Sequence, residues 1–420
     1  MTKTLISIAL RNVVRHWKRS LISAIVLTVG IGMFIFFDSV LAGMDRMTID
    51  SMVQFNDASL KVMTKEYYDN KRTMPLTHGL SQAVELATEI ELVFPGSSAT
   101  PRTPFMAFAS NRIDSLPALG YAIDLVTDSS VFTLRDQLDS GSWFSENPEG
   151  GEVLIGKLLA RDLGLTQGDW LFISARMTDD SLNADEYIIT GILDIPDMSL
   201  NESGIFMSFT EAKKLLGEDL PVTTIGVSLP RPANLSKELS DSIEASAIIE
   251  KEYKNIKAVS IAEAANDYLA MRDMKSKYSM LIIFIVLLIA GVGIVNTILM
   301  SVYSRIKEIG VLRAYGMTPT HIRRLFSIEG LLIGLIGSSA ALVLGSLLVW
   351  WSVRWGIPIG DYFGSLDMGV IPIGDGLRGE WHPGIMAFGF LFGVAASWIS
   401  ARIPAAKAGK LEVTEALRFV

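Results

Sequence analysis

One stretch of the chain comes close to a phosphate-binding loop, the motif that would make this protein a nucleotide-binding enzyme. Gly151, Gly156 and Lys157 have the spacing of the G-x-x-x-x-G-K-[ST] motif. The motif then needs a Ser or Thr hydroxyl to hold Mg²⁺, and this chain has Leu158. The four residues between the glycines, Glu-Val-Leu-Ile, are typical of a buried strand. We therefore predict a strand followed by a helix, with no nucleotide site.

Other side chains that carry chemistry are sparse. The chain has no cysteine, which excludes disulfides, thiolate metal sites, a cysteine nucleophile and lipid attachment to a cysteine. The acidic pairs at 179–180 and 185–186 are typical of solvated loops, and no histidine has a recognisable nucleophile beside it. The net charge of −8 disfavours nucleic acid as a partner. The four histidines are too scattered for a zinc site: His16, His78, His321 and His382.

The most informative spacing lies in residues 304–327 (SRIKEIGVLRAYGMTPTHIRRLFS). Apolar residues interleaved with basic ones predict amphipathic helices here. Gly316 ends the first helix, and Thr318 and Pro319 provide the N-cap and first position of a second. A short helix held between two membrane spans would move both when pressed. The residues alone leave two readings open, a lever for a partner protein or a loop that lies on the membrane without one. The apolar positions are Ile306, Ile309, Leu312 and Leu325.

Four apolar segments are long enough to cross the roughly 30 Å hydrocarbon core of a bilayer. Hydrophobic residues make up 50% of the chain, and the mean hydropathy is +0.37. The first segment also resembles a signal peptide with a cleavage site at Val40-Leu41-Ala42. Its apolar run exceeds the roughly 7–15 residues usual in such peptides, so we expect it to be retained. The spans are Leu21–Leu41, Met280–Tyr303, Ile328–Trp351 and Pro383–Ile403.

Basic residues indicate which side of the membrane each connection faces, because Lys and Arg are enriched in cytoplasmic loops. The first twenty residues contain five Lys or Arg and no acid, and residues 304–327 contain five against one acid. The loop 352–382 contains two against four. We predict that both termini are cytoplasmic in a bacterial inner membrane, and that residues 42–279 and 352–382 lie outside.

The ends of the spans also carry patterns. Residues 4–19 predict an amphipathic helix in the cytoplasmic interface, with a simple extension of the first span as the alternative. Its apolar face would contain Ile6, Leu10, Val13 and Trp17, opposite Arg11, Arg15 and Lys18. Small residues four apart favour close helix packing in lipid: Gly330 with Gly334, and Gly389 with Gly393.

The long segment between the first two spans mixes strand and helix patterns, which predicts an α+β domain. YIITGILDI and VTTIGVSL are rich in β-branched residues and predict strands. FTEAKKLLG predicts a helix with Thr210 as N-cap and Gly217 as C-cap. The stretch Gly151–Asp169 predicts a strand, a helix that ends at Gly164, and a turn at 167–169.

Residues Lys307–Thr318 (KEIGVLRAYGMT) resemble the coupling segment of the FtsX/MacB/LolC-LolE permease superfamily, also called type VII ABC transporters. Ala9–Arg15 (ALRNVVR) resembles its elbow helix, and Gly151–Asp169 resembles the recurrent core of its periplasmic domain. Pro404–Ala408 with Glu415–Arg418 resembles its C-terminal signature. One span, a large domain and then three spans is also the layout of this superfamily.

The resemblance implies an α-helical membrane protein with four transmembrane helices and a large α+β extracytoplasmic, MacB-like periplasmic core domain between helices 1 and 2. It implies an elbow helix at 1–20, a first span at 21–41, a periplasmic domain at 42–279 and a second span at 280–303. The second span is followed by a coupling segment at 304–327, a third span at 328–351, a periplasmic loop at 352–382, a fourth span at 383–403 and a cytoplasmic tail at 404–420.

The resemblance also implies partners. A separate ABC ATPase dimer would bind ATP and Mg²⁺, so this chain would hold no cofactor and would not be an enzyme by itself. A second permease subunit, the same or a homologous chain, would complete the complex in the membrane. The ATPase would act on the coupling residues Lys307, Glu308, Ile309, Gly310, Leu312, Arg313, Gly316, Met317 and Thr318.

Within the superfamily, the large outer domain and separate ATPase of LolC and LolE fit best. These extract lipoproteins from the inner membrane and pass them to a periplasmic carrier. Two alternatives stay open, a MacB-like exporter of drugs, peptides or other periplasmic substrates with an unfused ATPase, and a transmembrane signalling transmitter. The glycine-rich 352–382 loop is longer than expected in all three branches.

Lipoprotein cargo would require an apolar cavity for acyl chains, which Met and Phe side chains suit because they repack easily. Ordinary helix packing is the alternative for each of these residues. Asp38 and Glu329 are ionisable groups near span ends and therefore functional candidates, unless they reach the interface. The cavity residues would be Phe34, Ile35, Phe36, Phe37, Leu41, Met44, Met47, Met271, Met274, Tyr278, Met280 and Ile283.

Overall fold

The computed structural model describes residues 2–15, 17–145, 151–232, 234–357 and 376–410. His16, the centre of the 352–382 loop and the Glu415–Arg418 part of the predicted signature lie outside these residues. The described chain forms two compact units. We call them the helical unit, up to Met44 and from Arg272 onward, and the sheet unit, Asp45–Met271.

The α-helices of the described residues are, in chain order, α1 Thr2–Arg15, α2 Trp17–Ser51, α3 Lys65–Asn70, α4 Ala83–Val93, α5 Asp128–Val131, α6 Lys157–Leu163, α7 Met198–Ser203, α8 Phe209–Leu216, α9 Leu235–Glu252, α10 Ile261–Ala264, α11 Asn266–Ser304, α12 Ile306–Ala314, α13 Pro319–Trp355 and α14 Pro383–Lys410. The strands are β1 Leu60–Thr64, β2 Ser98–Ser110, β3 Ser115–Ile123, β4 Leu138–Gly141, β5 Glu152–Gly156, β6 Trp170–Arg176, β7 Leu182–Leu193, β8 Gly204–Ser208, β9 Thr224–Ser228 and β10 Ile256–Ser260.

Four helices are long and apolar enough to span a membrane, α2, α11, α13 and α14, which confirms the four predicted spans. Helix α2 continues past the apolar segment and ends in a π-helical turn, Met52–Asp57. Helix α11 likewise begins at Asn266, well before its apolar stretch. Both helices therefore contribute residues to each unit.

Small residues let the spans of the helical unit pack closely, as the glycine spacing predicts. A Cβ atom at Gly330 of α13 would lie only 2.1 Å from Cβ of Ala401 on α14. A Cβ atom at Gly393 of α14 would lie 2.3 Å from Cδ1 of Ile31 on α2. The Oγ atom of Ser397 donates a hydrogen bond of 2.6 Å to the Gly330 carbonyl, which close approach of the two backbones permits.

The sheet unit is built on a closed circuit of six strands. Strands β2, β3, β8, β5, β7 and β6 pair in that order, and β6 returns to pair with β2. The alternation of buried and exposed residues along β6 is what one face against a core requires. Helices α6 and α8 pack their apolar faces onto this core.

The 13-residue strand β2 also belongs to a second layer of the sheet unit. Its first residues pair with β9, and β9, β1 and β10 follow outward. Helices α4 and α9 cover this four-stranded part with a separate apolar core. One strand therefore carries both halves of the unit, and Arg102 lies where they meet, paired with Thr224 on β9 and Ile123 on β3.

Local predictions for this region are largely confirmed. The predicted strands are β7 and β9, and α6 ends at Gly164 in the left-handed conformation, with φ +64°. Gly217 ends α8, as predicted. Thr210 was the wrong N-cap, because α8 begins earlier. Ser208 has the extended backbone of an N-cap, and its Oγ accepts a 3.2 Å hydrogen bond from the Glu211 amide.

Candidate functional site

Helix α12 lies between the second and third spans, where the coupling segment is predicted. Ile306 and Ile309 are 4% and 1% exposed, and Gly310 is buried with them. These residues join the apolar core of the helical unit, with Leu312 and Met317 half-buried against it. The buried side of α12 is therefore packed into the core of the helical unit.

The opposite side of α12 is exposed. Lys307 and Glu308 lie there with Val311, and Tyr315 follows with 87% of its surface exposed. Some of the predicted coupling residues therefore lie on the buried face of α12, and others lie on its exposed face. Tyr315 was not among them, although an aromatic residue directly before the helix-breaking glycine was a usable signal. A large, stiff aromatic side chain that points into solvent is typical of an interface anchor.

The turn after α12 fixes the direction of the chain. Gly316 has φ +95°, which a residue with a side chain rarely adopts, and its amide donates to the Arg313 carbonyl at 3.0 Å. The Thr318 Oγ then accepts from the His321 amide, and Pro319 occupies the first turn of α13. The predicted break at Gly316 and cap at Thr318 are both confirmed.

A polar cluster around the buried Arg305 and Glu329 joins three elements beside α12, and we call it the Glu329 cluster: Asn12, Arg305, Glu308 and Glu329. Oε1 of Glu329 on α13 accepts from Nδ2 of Asn12 on α1 at 2.7 Å and from Nη1 of Arg305 at 3.0 Å. Arg305, between α11 and α12, also binds Glu308 through Nε at 2.9 Å. The side chains of Arg305 and Glu329 are each 5% exposed, so Glu329 does not reach the interface.

Helix α1 contacts α13 through a face that differs from the predicted one. Leu5 and Ala9 are buried and pack on Leu325, whereas Ile6 and Leu10 are 41% and 46% exposed. The predicted apolar face therefore splits in two. One side packs against protein, while the other is left uncovered, as expected of a helix in a lipid interface.

In the sheet unit, Arg102 binds the end of α2. It forms a bidentate ion pair with Asp128, at 2.7 Å from Nε and 2.9 Å from Nη2, and the two side chains are 3% and 1% exposed. Its Nη1 donates to the Phe55 carbonyl in the π-helical turn at 3.1 Å. The guanidinium carbon lies 3.3 Å from the ring centre of Phe132. This arrangement connects the helix end to the strand that carries both halves of the unit.

A second network surrounds an earlier part of the same helix. Arg46 contacts Asp50 one turn later and Glu238 of α9, the latter at 3.0 Å. Arg231 binds the same two carboxylates, through Nη2 to Asp50 and through Nε to Glu238 at 2.8 Å. Two arginines and two carboxylates that share partners resist rotation of α2 better than one pair would.

The predicted acyl-chain residues do not share one environment. Ile283 and Ile35 are 2% exposed and lie in the core of the helical unit, with Phe34 beside them. Phe37 is 57% exposed. A cavity for acyl chains stays a prediction. Leu41, Met44 and Met47 are half-buried, whereas Met271, Met274, Tyr278 and Met280 are exposed.

Asp38 lies at the far end of α2 from α1 and contacts Nδ1 of His382 at 3.1 Å. The adjacent chain packs closely on this helix, because the Glu380 amide donates to the Ser39 carbonyl at 2.9 Å. The Cβ of any residue replacing Gly43 would lie 1.8 Å from the Arg378 carbonyl oxygen. The described end of the 352–382 loop is therefore fixed to the helical unit.

The stretch that resembles a phosphate-binding loop has another role in the structure. Its residues form β5, which is buried, followed directly by α6. Lys157 Nζ binds Asp194 at 2.8 Å and Asp139 at 2.9 Å, and these hydrogen bonds raise the pKa of Lys157 above its ordinary value. The ammonium group of the lysine is therefore already paired with two carboxylates of the sheet unit.

The sequence matches two family models. The model described as "FtsX-like permease C-terminal" matches residues 280–413, and the model described as "MacB-like periplasmic core domain" matches residues 20–246, more than half of the chain. An uncharacterized ABC transporter permease of Methanocaldococcus jannaschii is 26% identical over 289 residues, which are 67% of this chain and 65% of that one.

Further relatives carry names that specify a function. The lipoprotein-releasing system transmembrane protein LolC of Neisseria meningitidis is 21% identical over 368 residues, 80% of this chain and 86% of that one. The macrolide export ATP-binding/permease protein MacB of Nitrosomonas europaea is 32% identical over 111 residues, 24% of this chain and 17% of that one. The periplasmic region of MacB from Actinobacillus actinomycetemcomitans aligns with a TM-score of 0.33 and 11% identity, over 50% of this chain and 91% of that one.

Four spanning helices, a sheet unit inserted between the first and second, and a short helix seated between the second and third define an integral membrane protein of the permease type. The chain belongs to the superfamily of ABC transporter permeases that combine a MacB-like periplasmic core domain with an FtsX-like permease C-terminal domain. This confirms the superfamily that the coupling segment indicated.

Proposed function

We propose that this chain is the membrane subunit of an ABC complex in which a separate ATPase dimer drives mechanical work by the sheet unit. The observation that carries the proposal is the two-sided environment of α12. Its apolar side is fixed in the helical unit, and its other side presents Lys307, Glu308 and the exposed ring of Tyr315. A rigid helix with one fixed side and one exposed side is suited to receive a push from a partner.

The push would spread from α12 through the Glu329 cluster. Arg305 precedes α12 directly, and Glu329 connects it to α13 and, through Asn12, to α1. Because these side chains are buried and hydrogen-bonded, separating them is costly, and the elements move together instead. Both termini would lie on the cytoplasmic side, where the ATPase would bind α12, and the sheet unit would work outside.

Helices α2 and α11 would carry the motion to the sheet unit, since each contributes residues to both units. In the sheet unit, Arg102 binds the end of α2. In the preceding turns of α2, Arg46 binds Glu238 of α9 and Asp50 binds Arg231. On α11, the Tyr268 hydroxyl donates to Asp45 of α2 at 2.7 Å. These contacts would convert a movement of the helices into a movement of the two halves that share β2.

We propose lipoproteins as the cargo, and release from the membrane as the work. Relatives named as lipoprotein-releasing LolC match most of this chain and most of their own length, whereas the macrolide-export MacB matches a quarter of this chain. The complex would then contain a second permease subunit and deliver its cargo to a periplasmic carrier. Acyl chains would occupy an apolar cavity that includes the exposed Phe37, Met274 and Tyr278.

Depletion of the protein tests the cargo. Lipoprotein release predicts that outer-membrane lipoproteins accumulate in the inner-membrane fraction before growth stops. Normal sorting, together with a new sensitivity to drugs or peptides, would instead support the MacB-like exporter. Normal sorting without such sensitivity would favour a signalling transmitter.

Substitution of Tyr315 tests the coupling. Tyr315→Ala should leave the fold intact and weaken co-purification of the ATPase by about tenfold or more, because interface aromatics are often binding hot spots. Trp170→Ala is the matched control, since Trp170 is also an exposed aromatic, at 55%, but belongs to the sheet unit. Equal co-purification of both variants with the ATPase would contradict a partner at α12.

A further inference from the structure

A cavity of about 560 Å³ opens beside the coupling segment, entirely within the helical unit. Its walls are the first three turns of α13 and the last turns of α14, and Leu5 of α1 closes one side. The volume lies within the range of about 300–1,000 Å³ that is usual for ligand sites. Neither the coupling mechanism nor the proposed cargo uses this cavity.

The cavity concentrates positive charge. Arg323 and Arg324 line it from α13, and Arg402 lines it from α14. Within the described part of the chain, none of the three guanidinium groups forms an ion pair with a carboxylate. Arg402 instead lies over the ring of Trp398, with its guanidinium carbon 4.4 Å from the ring centre. Three arginines that line one cavity and have no carboxylate partner among the described residues are suited to bind a phosphate, because the guanidinium group matches its geometry.

Apolar side chains line the cavity alongside the polar Thr320, His321 and Ser327, which distinguishes it from a site for a free anion. Leu5, Ile328 and Trp398 contribute to its walls. Directly after the lining residues Trp398 and Arg402 in sequence, Ile399 and Ile403 of α14 are apolar and uncovered, at 58% and 59% exposed. A ligand with a phosphate and long hydrocarbon chains would contact the arginines and this surface at once.

We propose that the cavity binds the phosphate group of an anionic phospholipid from the leaflet on the α12 side of the membrane. Basic pockets between spans on the cytoplasmic side are suited to such headgroups. The lipid would join α1, α13 and α14 just beyond the cap at Thr318. The proposal depends on the chain lying in a membrane, but not on lipoproteins as the cargo.

Lipid retention by the purified full-length chain tests the proposal. The chain would be exchanged into equal mixtures of phosphatidylglycerol and phosphatidylcholine, and bound lipid counted by native mass spectrometry. We expect phosphatidylglycerol to be retained selectively, and Arg324→Gln/Arg402→Gln to reduce its retention by about tenfold or more. Arg11→Gln/Arg15→Gln is the matched control, because it removes two exposed arginines of α1 that do not line the cavity.

Two further arms separate the source of the phosphate and the position of the lipid. Millimolar inorganic phosphate should not displace phosphatidylglycerol. Phosphatidylglycerol with brominated acyl chains should quench the tryptophan fluorescence of the wild-type chain more strongly than that of Trp398→Phe. Equal loss in the two arginine variants would overturn the proposal, as would equal retention of phosphatidylcholine. Displacement by inorganic phosphate would overturn the assignment to a lipid. The substituted arginines lie on helix surfaces, so both variants should fold.

Discussion

The ion pairs Arg102–Asp128 in the sheet unit and Arg305–Glu329 in the helical unit are both almost inaccessible to solvent, yet they are built differently. The first is bidentate, receives further support from the Phe55 carbonyl, and is covered by Phe132. In the second, one carboxylate oxygen of Glu329 accepts from two donors on different elements.

The surroundings of the two pairs differ as well. A void of about 20 Å³ adjoins Glu329, lined by polar groups that include Asn12, Ser20 and Thr297. This volume is enough for one water molecule, which could replace a lost hydrogen bond during a movement. We call Arg102–Asp128 the anchor, because it is one closely packed pair, and the Glu329 cluster the joint, because one carboxylate connects elements that would then move together.

The largest loss of opening free energy is expected when the anchor is changed at Arg102. Arg102→Met leaves the Asp128 carboxylate buried and unpaired, which should lower the free energy of opening of β2 and α5 by about 3–5 kcal/mol. Arg102→Met/Asp128→Leu should recover part of this loss, because no buried charge remains. Hydrogen exchange of residues 98–131 in the full-length protein measures both. A single variant that loses less than about 1 kcal/mol would show that the pair is not an anchor.

A smaller loss of opening free energy is expected when the joint is changed at Glu329. Glu329→Gln keeps the size of the side chain but removes its charge, and Arg305 retains Glu308 as a partner. We expect a loss of about 1–3 kcal/mol in the opening free energy of α12. The control Glu308→Gln changes a half-exposed carboxylate and should cost about 1 kcal/mol or less. If Glu329→Gln cost as much as Arg102→Met, the distinction between anchor and joint would fail.

Loss of the close packing directly after Glu329 should cost a similar or smaller free energy than Glu329→Gln. Gly330→Ala places a Cβ atom against Ala401, so α13 and α14 must separate at an expected cost of about 1–3 kcal/mol. Gly293→Ala in α11 meets nothing within 4 Å and should be neutral or slightly stabilising. The melting temperatures of both variants in the same detergent test this. Equal melting temperatures would mean that the joint does not depend on contact between α13 and α14.

The smallest effect is expected at the cap that positions α13. Thr318→Ala removes the acceptor for the His321 amide and should cost about 1 kcal/mol, with faster hydrogen exchange limited to the first turn of α13. Thr320→Ala changes an exposed threonine two residues further along and should leave exchange unchanged. Exchange that spreads to the Glu329 cluster would show that the cap and the joint open together.

The sequence predicts the four spans, because about 20 consecutive apolar residues match the hydrocarbon thickness of a bilayer. It also determined local features that depend on adjacent residues, such as the break at Gly316, the cap at Thr318 and the strand before Lys157. The superfamily followed from the coupling segment, whose residue types are specific to it. Even the glycine spacing at Gly330 indicated close packing.

Contacts between residues that are distant in sequence depend, by contrast, on the folded chain. No local pattern shows that Glu329 pairs with residues 24 and 317 positions away, or that Arg102 binds a carbonyl at the end of α2. The face of α1 was partly mispredicted for the same reason, since a helix with protein on one side and lipid on the other has two apolar faces. Burial and ion pairing depend on elements distant in sequence, so only the folded chain determines which polar groups are enclosed together.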